Sequence, residues 1–525
     1  MSSTSKLNDK TNQPATLPPP AQPQKWPAGM LKMDMLTSEL RVQGRLALPM
    51  VVMNLAWFGK TAITTAFLGR LGELSLAGGA LGFTFANVTG FSVLNGLCGA
   101  MEAICGQAQG AQNIKLLHKT LLMTILLLLS VSLPISFLWL NVDKILISFG
   151  QEEDISTVAR IYVSYLVPDL FISSFFCPLK AYLSSQSITL PTMFISTAAL
   201  AFHIPINIVL SATMGLKGVS MAVWITDLIV VVLLAIYVVI LEKKGSSWKD
   251  GGWWDQSFMD WIRLVKLGGS CCLNTCLEWW CYEILVLLTG HLKNAKEAVG
   301  VLAIVLNLDY LLFSVMLSLG TCVSTRVSNE LGANQAGNAY RSALVSLALG
   351  FISGCIGSLV MVAVRGSWGT LFSHDNGIIK GVKKTMLLMA LVELFNFPLA
   401  VCGGIVRGTA RPWLGMYANL AGFYFLALPL GVILAFKFHH GLVGLFIGLN
   451  TGIVVCLMLV LVFIVRINWV KEAAKAHTLA SNSQVQNAPK YGAEEPKMAL
   501  AVPSAIWNLL DQFNSLLPQL MLDPG

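Results

Sequence analysis

Charge is what this 525-residue chain has least of: 12% of it is Asp, Glu, Lys or Arg, against about 25% in ordinary soluble domains. With 55% hydrophobic residues gathered in long apolar runs, that shortage excludes a soluble globular protein and points to a polytopic membrane protein. The net charge of +8 comes from Lys and Arg scattered singly between the runs. Such scatter makes no nucleic-acid-binding stripe; it suits loops resting against an anionic membrane face. The eleven cysteines include no CxxC and no Cys/His cluster at metal-ligand spacing, so neither a disulfide framework nor a metal cofactor is expected. Cys98, Cys105, Cys272, Cys276, Cys322, Cys355 and Cys456 mostly lie inside apolar runs and read as small hydrophobes. No GxxxxGK[ST] loop occurs, so no ATP-driven engine and no enzyme is expected. The opening MSSTSKLNDKTNQPATLPPPAQPQKW lacks the apolar core of a cleaved signal peptide, and residues 1–40 read as a disordered cytoplasmic arm.

What is present is a rhythm of spans. Twelve windows of roughly 20 apolar residues can each cross a bilayer, from 44–66 through 264–289 to 442–466. The expected fold is an all-α polytopic membrane protein. Its parts are an N-lobe at 41–242, a cytoplasmic linker at 243–262, a C-lobe at 263–468 and a cytoplasmic tail at 469–525. An even number of spans puts both termini on one face. Lys25, Lys32, Arg41, Arg45, the loop EKKGSSWKDGGWWDQSFMDWIRLVK and the stretch from Arg466 fall on that face, which the positive-inside rule makes cytoplasmic. The chain also repeats itself. FLGRLGELSLAGGALGF (67–83) matches LTGHLKNAKEAVGVLAI (288–304), and GQAQGAQN (106–113) matches NELGANQ (329–335). The offset stays at about 222 residues, which argues for duplication of a six-helix unit. Two copies inserted in the same orientation form pseudo-symmetric lobes around a central cavity, a transporter architecture.

Taken together, CLEWWCYE (276–283), STRVSNELGAN (324–334), MEAICGQAQGAQN (101–113) and IVRGTARP (405–412) resemble the multidrug and toxic compound extrusion (MATE) family, plant branch. The resemblance covers roughly residues 35 to 470. It implies twelve helices in two six-helix lobes and cation-coupled antiport of organic solutes by alternating access. It further implies a second-lobe cation site drawing on an acid of the seventh span, matched by Glu278, and a polar or acidic residue of the eighth, matched by Asn307. The tenth span contributes an acid in other members; that position falls on Asn396, with Glu393 one turn earlier. Many bacterial members carry an aspartate in the first span where this chain has Thr64, so first-lobe coupling through that acid is not expected. By the same analogy, Glu102 and Gln107, with Asn329 and Glu330 of the second copy, close an inner gate.

The residues themselves support a coupling site in the second lobe. An unpaired ionised side chain in a bilayer core costs roughly 2.5–3.5 kcal/mol or more, so each acid there needs a reason. Burial raises a carboxyl pKa and an approaching cation lowers it, so a carboxyl that alternates between such environments can exchange solute for protons. Glu278 and Glu283 are five residues apart, about 140° around a helix, and so face different surroundings. Glu278 shares a face with Tyr282, and Glu283 with Trp279 and Trp280. Each could instead be a packed partner of a neighbouring helix. The eighth span adds Asn307, Asp309 and Tyr310, and the tenth adds Glu393 and Asn396 beside Pro398, which is expected to kink the helix. In the first span, Lys60 either pairs with an acid, snorkels, or faces the cavity as a cation for an anionic group; Thr64 lies one turn on, and with Trp279, Tyr282 and Tyr310 these two are the candidates for lining the substrate cavity. Glu102 either caps or pairs with a loop cation such as Lys115. Asp169 and Asp227 read as structural. In the tail, SAIWNLLDQFNSLL has helical apolar spacing suited to a membrane surface or a protein partner. The expected ligands are protons and a small organic solute, in a membrane, with the plasma membrane favoured over vacuole or endosome. A signalling scaffold that kept the fold, or a lipid-type flippase, are the alternatives.

Overall fold

The computed structural model describes residues 33–244 and 252–485. Among these, twelve helices are long and apolar enough to cross a membrane. The first six are α1 (Met33–Arg70), α2 (Glu73–Gly110), α3 (Ile114–Leu140), α4 (Glu153–Ser185), α5 (Leu190–Met214) and α6 (Leu216–Lys244). The second six are α7 (Phe258–Thr289), α8 (Ala295–Gly332), α9 (Ala336–Val364), α10 (Asn376–Gly408), α11 (Pro412–Lys437) and α12 (Leu442–Val465). A thirteenth helix, α13 (Trp469–Val485), follows on the face where α1 begins and α12 ends, here called the terminal face. Buried apolar side chains form two main clusters, one in each six-helix lobe. Trp139, Tyr162 and Tyr182 are the largest fully buried side chains of the first, and Phe397, Phe423 and Phe446 of the second.

The internal duplication is written into the backbone. Left-handed residues recur in pairs at nearly the same offset: Gln112 with Asn334, Ser187 with Ala410, and Gly215 with Gly441. Each pair ends or links equivalent helices. Two helix starts differ from the sequence expectation, and a further helix opens the expected tail. α1 starts at Met33 and so takes in residues assigned to the arm; Glu39 is buried there, bonded to the second lobe. α7 starts at Phe258 because Ser257 and Asp260 cap it reciprocally, the Asp260 N–H donating to Ser257 Oγ and the Ser257 N–H to Asp260 Oδ2. α13 occupies the start of the expected tail, with its N-terminus held by Asn468 Oδ1, which accepts from Lys471 N–H. Its Trp469, Ala473, Ala476 and Ala480 are buried along one side. The arm before Met33 and the apolar tail segment at 504–517 lie outside the described residues.

The lobes meet where their pseudo-equivalent helices cross. Toward the face opposite the termini, α2 packs within its own lobe, Gly78 and Gly82 lying against Val158 and Ala159 of α4. α8 does the same there, with Gly300 and Val301 against Ile378 and Gly381 of α10. Toward the terminal face the two helices converge and cross. A Cβ added to Gly110 would stand 2.0 Å from the carbonyl oxygen of Asn329, and one added to Gly332 would stand 2.1 Å from that of Gln107. Only hydrogen fits where two backbones approach so closely. α1 leans on α8 through Leu46, Ala47, Met50 and Cys322, and α7 leans on α2 where Gly96 meets the Cys272 backbone. The structure is therefore closed at the terminal face.

Adding one methyl at this crossing should loosen it. Gly332→Ala is expected to destabilise the closed form by about 1–3 kcal/mol, the usual range for overpacking, and to lower the melting temperature in detergent. Gly269→Ala, whose added carbon meets nothing within 4 Å, should leave it unchanged or higher.

Candidate functional site

In the second lobe, α7, α8 and α10 bring acids together behind Tyr282. Asp309 of α8 is 6% exposed and Glu393 of α10 is 0% exposed, and their carboxyls lie within hydrogen-bonding reach of each other. Glu393 Oε1 and Oε2 and Asp309 Oδ1 receive no other hydrogen bond from a described residue. Carboxylates only accept, so this contact becomes a hydrogen bond once one proton is shared. Asn396 Nδ2 donates to Tyr282 Oη at 3.3 Å, holding the ring within electrostatic range of Asp309, Glu393 and Glu278. α10 runs unbroken through Pro398, and Gly354 of α9 packs against the Glu393 and Leu394 carbonyls, the second of which the proline leaves without its helical donor. Glu278 is half-buried and makes no hydrogen bond among the described residues; the cation acting on it is Arg407. Glu283 points elsewhere, toward Tyr310, which is 49% exposed. Trp279 stacks edge-on against Phe313 at 6.1 Å. Trp280 donates from Nε1 to the Val88 carbonyl of α2 at 3.0 Å. That carbonyl belongs to a wide π-turn at Asn87–Phe91, the kind of irregularity that leaves carbonyls free for other donors.

The first lobe holds a different constellation. Lys60 Nζ sits 2.6 and 2.5 Å from the two carboxylate oxygens of Asp227 and is 7% exposed. Of the readings open to it, acid pairing is the one found, and the ammonium does not lie open to a solute. Thr64 is likewise buried, donating to the Lys60 carbonyl at 3.0 Å and lying 3.0 Å from His203 Nε2. Both side chains lie in the lobe interior.

At the terminal face, ion pairs reinforce the crossing. Arg407 Nε of α10 donates to Glu102 Oε2 of α2 at 2.9 Å, so the partner of Glu102 is in the other lobe rather than Lys115. Gln107 Nε2 reaches the Gly408 carbonyl at 3.5 Å, and the Asn329 backbone lies against Gly110. Glu330 accepts from Arg326 at 2.7 Å, and Arg326 in turn donates to both oxygens of Glu39 on α1 at 3.1 and 3.0 Å. α13 ties the same region together. Its His477 Nδ1 donates to the Gly332 carbonyl at 2.8 Å, its Ala480 carbonyl accepts from Asn113 at 2.7 Å, and its Glu472 pairs with Arg411.

The MatE family model matches residues 49–209 and 270–433. The chain belongs to the MATE family. Protein DETOXIFICATION 56 of Arabidopsis thaliana is 64% identical over 454 residues, covering 86% of this chain and 92% of that one. Protein DETOXIFICATION 48 of the same plant is 38% identical over 467 residues, covering 89% and 87%. The crystal structure of the eukaryotic MATE transporter AtDTX14 superposes with a TM-score of 0.80 at 30% identity, covering 85% of this chain and 99% of that one. A bent form of a Vibrio cholerae MATE transporter shares the fold, with a TM-score of 0.70 at 16% identity over 85% and 99% of the two chains. This is a plant-type MATE transporter, a multi-pass membrane protein and secondary transporter of organic solutes.

In this MATE protein Glu393, Asn396 and Tyr282 gather as a group with Glu278 nearby; Asn307 is half-buried two residues before Asp309, and of the eighth-span residues it is Asp309 that meets Glu393. Lys180, Glu39, Arg326 and Arg407 were missed in these roles. Lys180 Nζ donates to Asn54 Oδ1 at 3.3 Å between α4 and α1. A cation inside an apolar window was the signal available for it.

Removing one member of the Glu102–Arg407 pair strands the other in the seam, which costs about 3–5 kcal/mol for a buried pair. Arg407→Met should therefore lower the melting temperature sharply. Glu102→Gln combined with Arg407→Met should recover most of the loss, and a thermal double-mutant cycle measures the coupling.

Proposed function

We propose that this MATE protein is a proton-coupled antiporter. It exports small organic solutes from the cytosol by alternating access, with both termini cytoplasmic and the plasma membrane as its place of work. The observation that carries the reading is the Asp309–Glu393 contact: two buried carboxyls from different helices, with no cation bonded to either among the described residues. Like charges in contact repel, and one shared proton removes the repulsion. A proton entering from the acidic face neutralises the pair and lets the lobe bury it. Arrival of the solute, or opening to the other face, favours the ionised form and sends the proton on. Glu278, between this pair and Arg407, is the group through which the solute site senses that charge. Glu102, Gln107, Asn329 and Glu330 act as the inner gate, closed in this state.

The driving force is sufficient. A proton falling through 100 mV supplies about 2.3 kcal/mol, and each pH unit adds about 1.4. The cytoplasmic orientation is supported by Arg41, Arg45 and Arg466 on the terminal face. A second reading, a protein partner acting at the tail, is favoured by α13, which carries the chain to Val485 directly over the helix crossing.

In proteoliposomes with an imposed pH gradient, Asp309→Asn and Glu393→Gln should each slow gradient-driven transport by about tenfold or more, the effect of losing about 1.4 kcal/mol of coupling. Parent transport should accelerate as the non-terminal side is acidified, and the variants should lose that acceleration. Two variants that match the parent at every pH would place the coupling elsewhere. Truncation after Val485 should leave transport intact; loss of a cellular response after that cut alone would favour the tail-partner reading.

A further inference from the structure

We propose that Asp169 and Asp227, neutralised in part by Lys60, form a second proton-binding site, inside the first lobe. Asp227 of α6 holds the Lys60 ammonium with both oxygens, yet its side chain remains 18% exposed, so the cluster is not sealed from water. Asp169 of α4 is 3% exposed, and its carboxyl comes within hydrogen-bonding reach of Asp227. Its Oδ1 is buried and receives no hydrogen bond from a described residue. Counting charges gives two carboxylates against one ammonium, an uncompensated negative charge within a membrane-spanning lobe. One proton placed between the carboxyls makes the cluster neutral and turns an acceptor–acceptor contact into an O–H···O hydrogen bond.

The ligand is a proton rather than a metal or an organic cation. Lys60 already occupies both oxygens of Asp227, and the single vacant oxygen of Asp169 is far short of the oxygen shell a hard cation requires. The remaining titratable neighbours are Tyr162 and Cys177 of α4 and His203 of α5. His203 Nδ1 lies 2.8 Å from Thr226 Oγ1, and its Nε2 lies 2.9 Å from Asn207 Nδ2 and 3.0 Å from Thr64 Oγ1. Lys60 is the ammonium bonded to the cluster. The two lobes then hold one proton site each.

Because this site stands apart from the second-lobe acids, its test reads proton binding without transport. Infrared difference spectra of the full chain in lipid nanodiscs, stepped from acid to alkaline pH, report protonated carboxyls by their C=O stretch. Asp169→Asn should delete one titrating component of the parent signal, and Glu393→Gln should delete a different one. Lys60→Met, which removes the ammonium, should make the first-lobe component persist to a pH at least about one unit higher, a tenfold tighter hold on the proton. Should Asp169→Asn fail to fold, the Lys60→Met shift decides alone. Spectra of Asp169→Asn that superimpose on the parent, or a Lys60→Met titration that does not move, would overturn the proposal. Loss of the Glu393 component alone would instead bear on the second-lobe reading.

Discussion

A charge inside a bilayer has to be neutralised, and the structure can be followed from that one requirement. Glu102 finds Arg407, Glu39 and Glu330 share Arg326, Lys60 finds Asp227, and Lys119 finds Asp260. All four sets join helices that are distant in sequence, and those of Glu102, Glu39 and Lys119 join the two lobes. Among the described residues, the acids in the interior of the spans left without a bonded cation include Glu278, Glu283, Asp309, Glu393 and, beside an already engaged lysine, Asp169. An uncompensated buried carboxyl is stable only when protonated, and a group that is stable only when protonated is a place to carry a proton. The pairing that stabilises the closed terminal face and the lack of pairing on which the proposed coupling rests are one rule applied to different residues.

The duplication makes this comparison sharper. Matching helices cross at matching glycines, and left-handed turn residues recur at equivalent positions. The fold is symmetric, yet the charge is not. The first lobe carries its cation covalently, as Lys60, whereas the carboxyl pair of the second has none bonded to it. A tethered ammonium cannot leave, so the first lobe keeps a fixed positive charge beside its acids, and the second lobe's pair has no such charge bonded to it among the described residues.

Closure at the terminal face rests on backbone contact rather than on large side chains. Where Gly110 and Gly332 meet the opposing helix, the approach is too close for any Cβ. Such a seam is bistable: it packs fully or parts, with little between. α13 lies across it and bonds to the ends of α2, α8 and α11, so opening toward this face has to break contacts made by the chain's own C-terminal segment.

Much of this was legible in the residues. The number of spans, the duplication, the helices that carry acids and the CLEWWCYE segment follow from hydropathy, spacing and repeat offset, all local properties of the chain. Separation of Glu278 from Glu283 followed from the helical angle alone, and the two indeed meet different neighbours. The helix starts at Met33 and Phe258 were less legible, because capping and burial against another lobe outweigh the polarity of those stretches. What only the tertiary structure decided is which charges are matched. Glu39 and Arg326 are 287 residues apart, Glu102 and Arg407 305, and Lys60 and Asp227 167. Pairing depends on distance in space at a given depth in the membrane, and no period or motif in a linear sequence encodes it. The sequence by itself determined that intramembrane charges exist and on which helices; helix packing decided which of them are paired and which are left without a bonded partner of opposite charge.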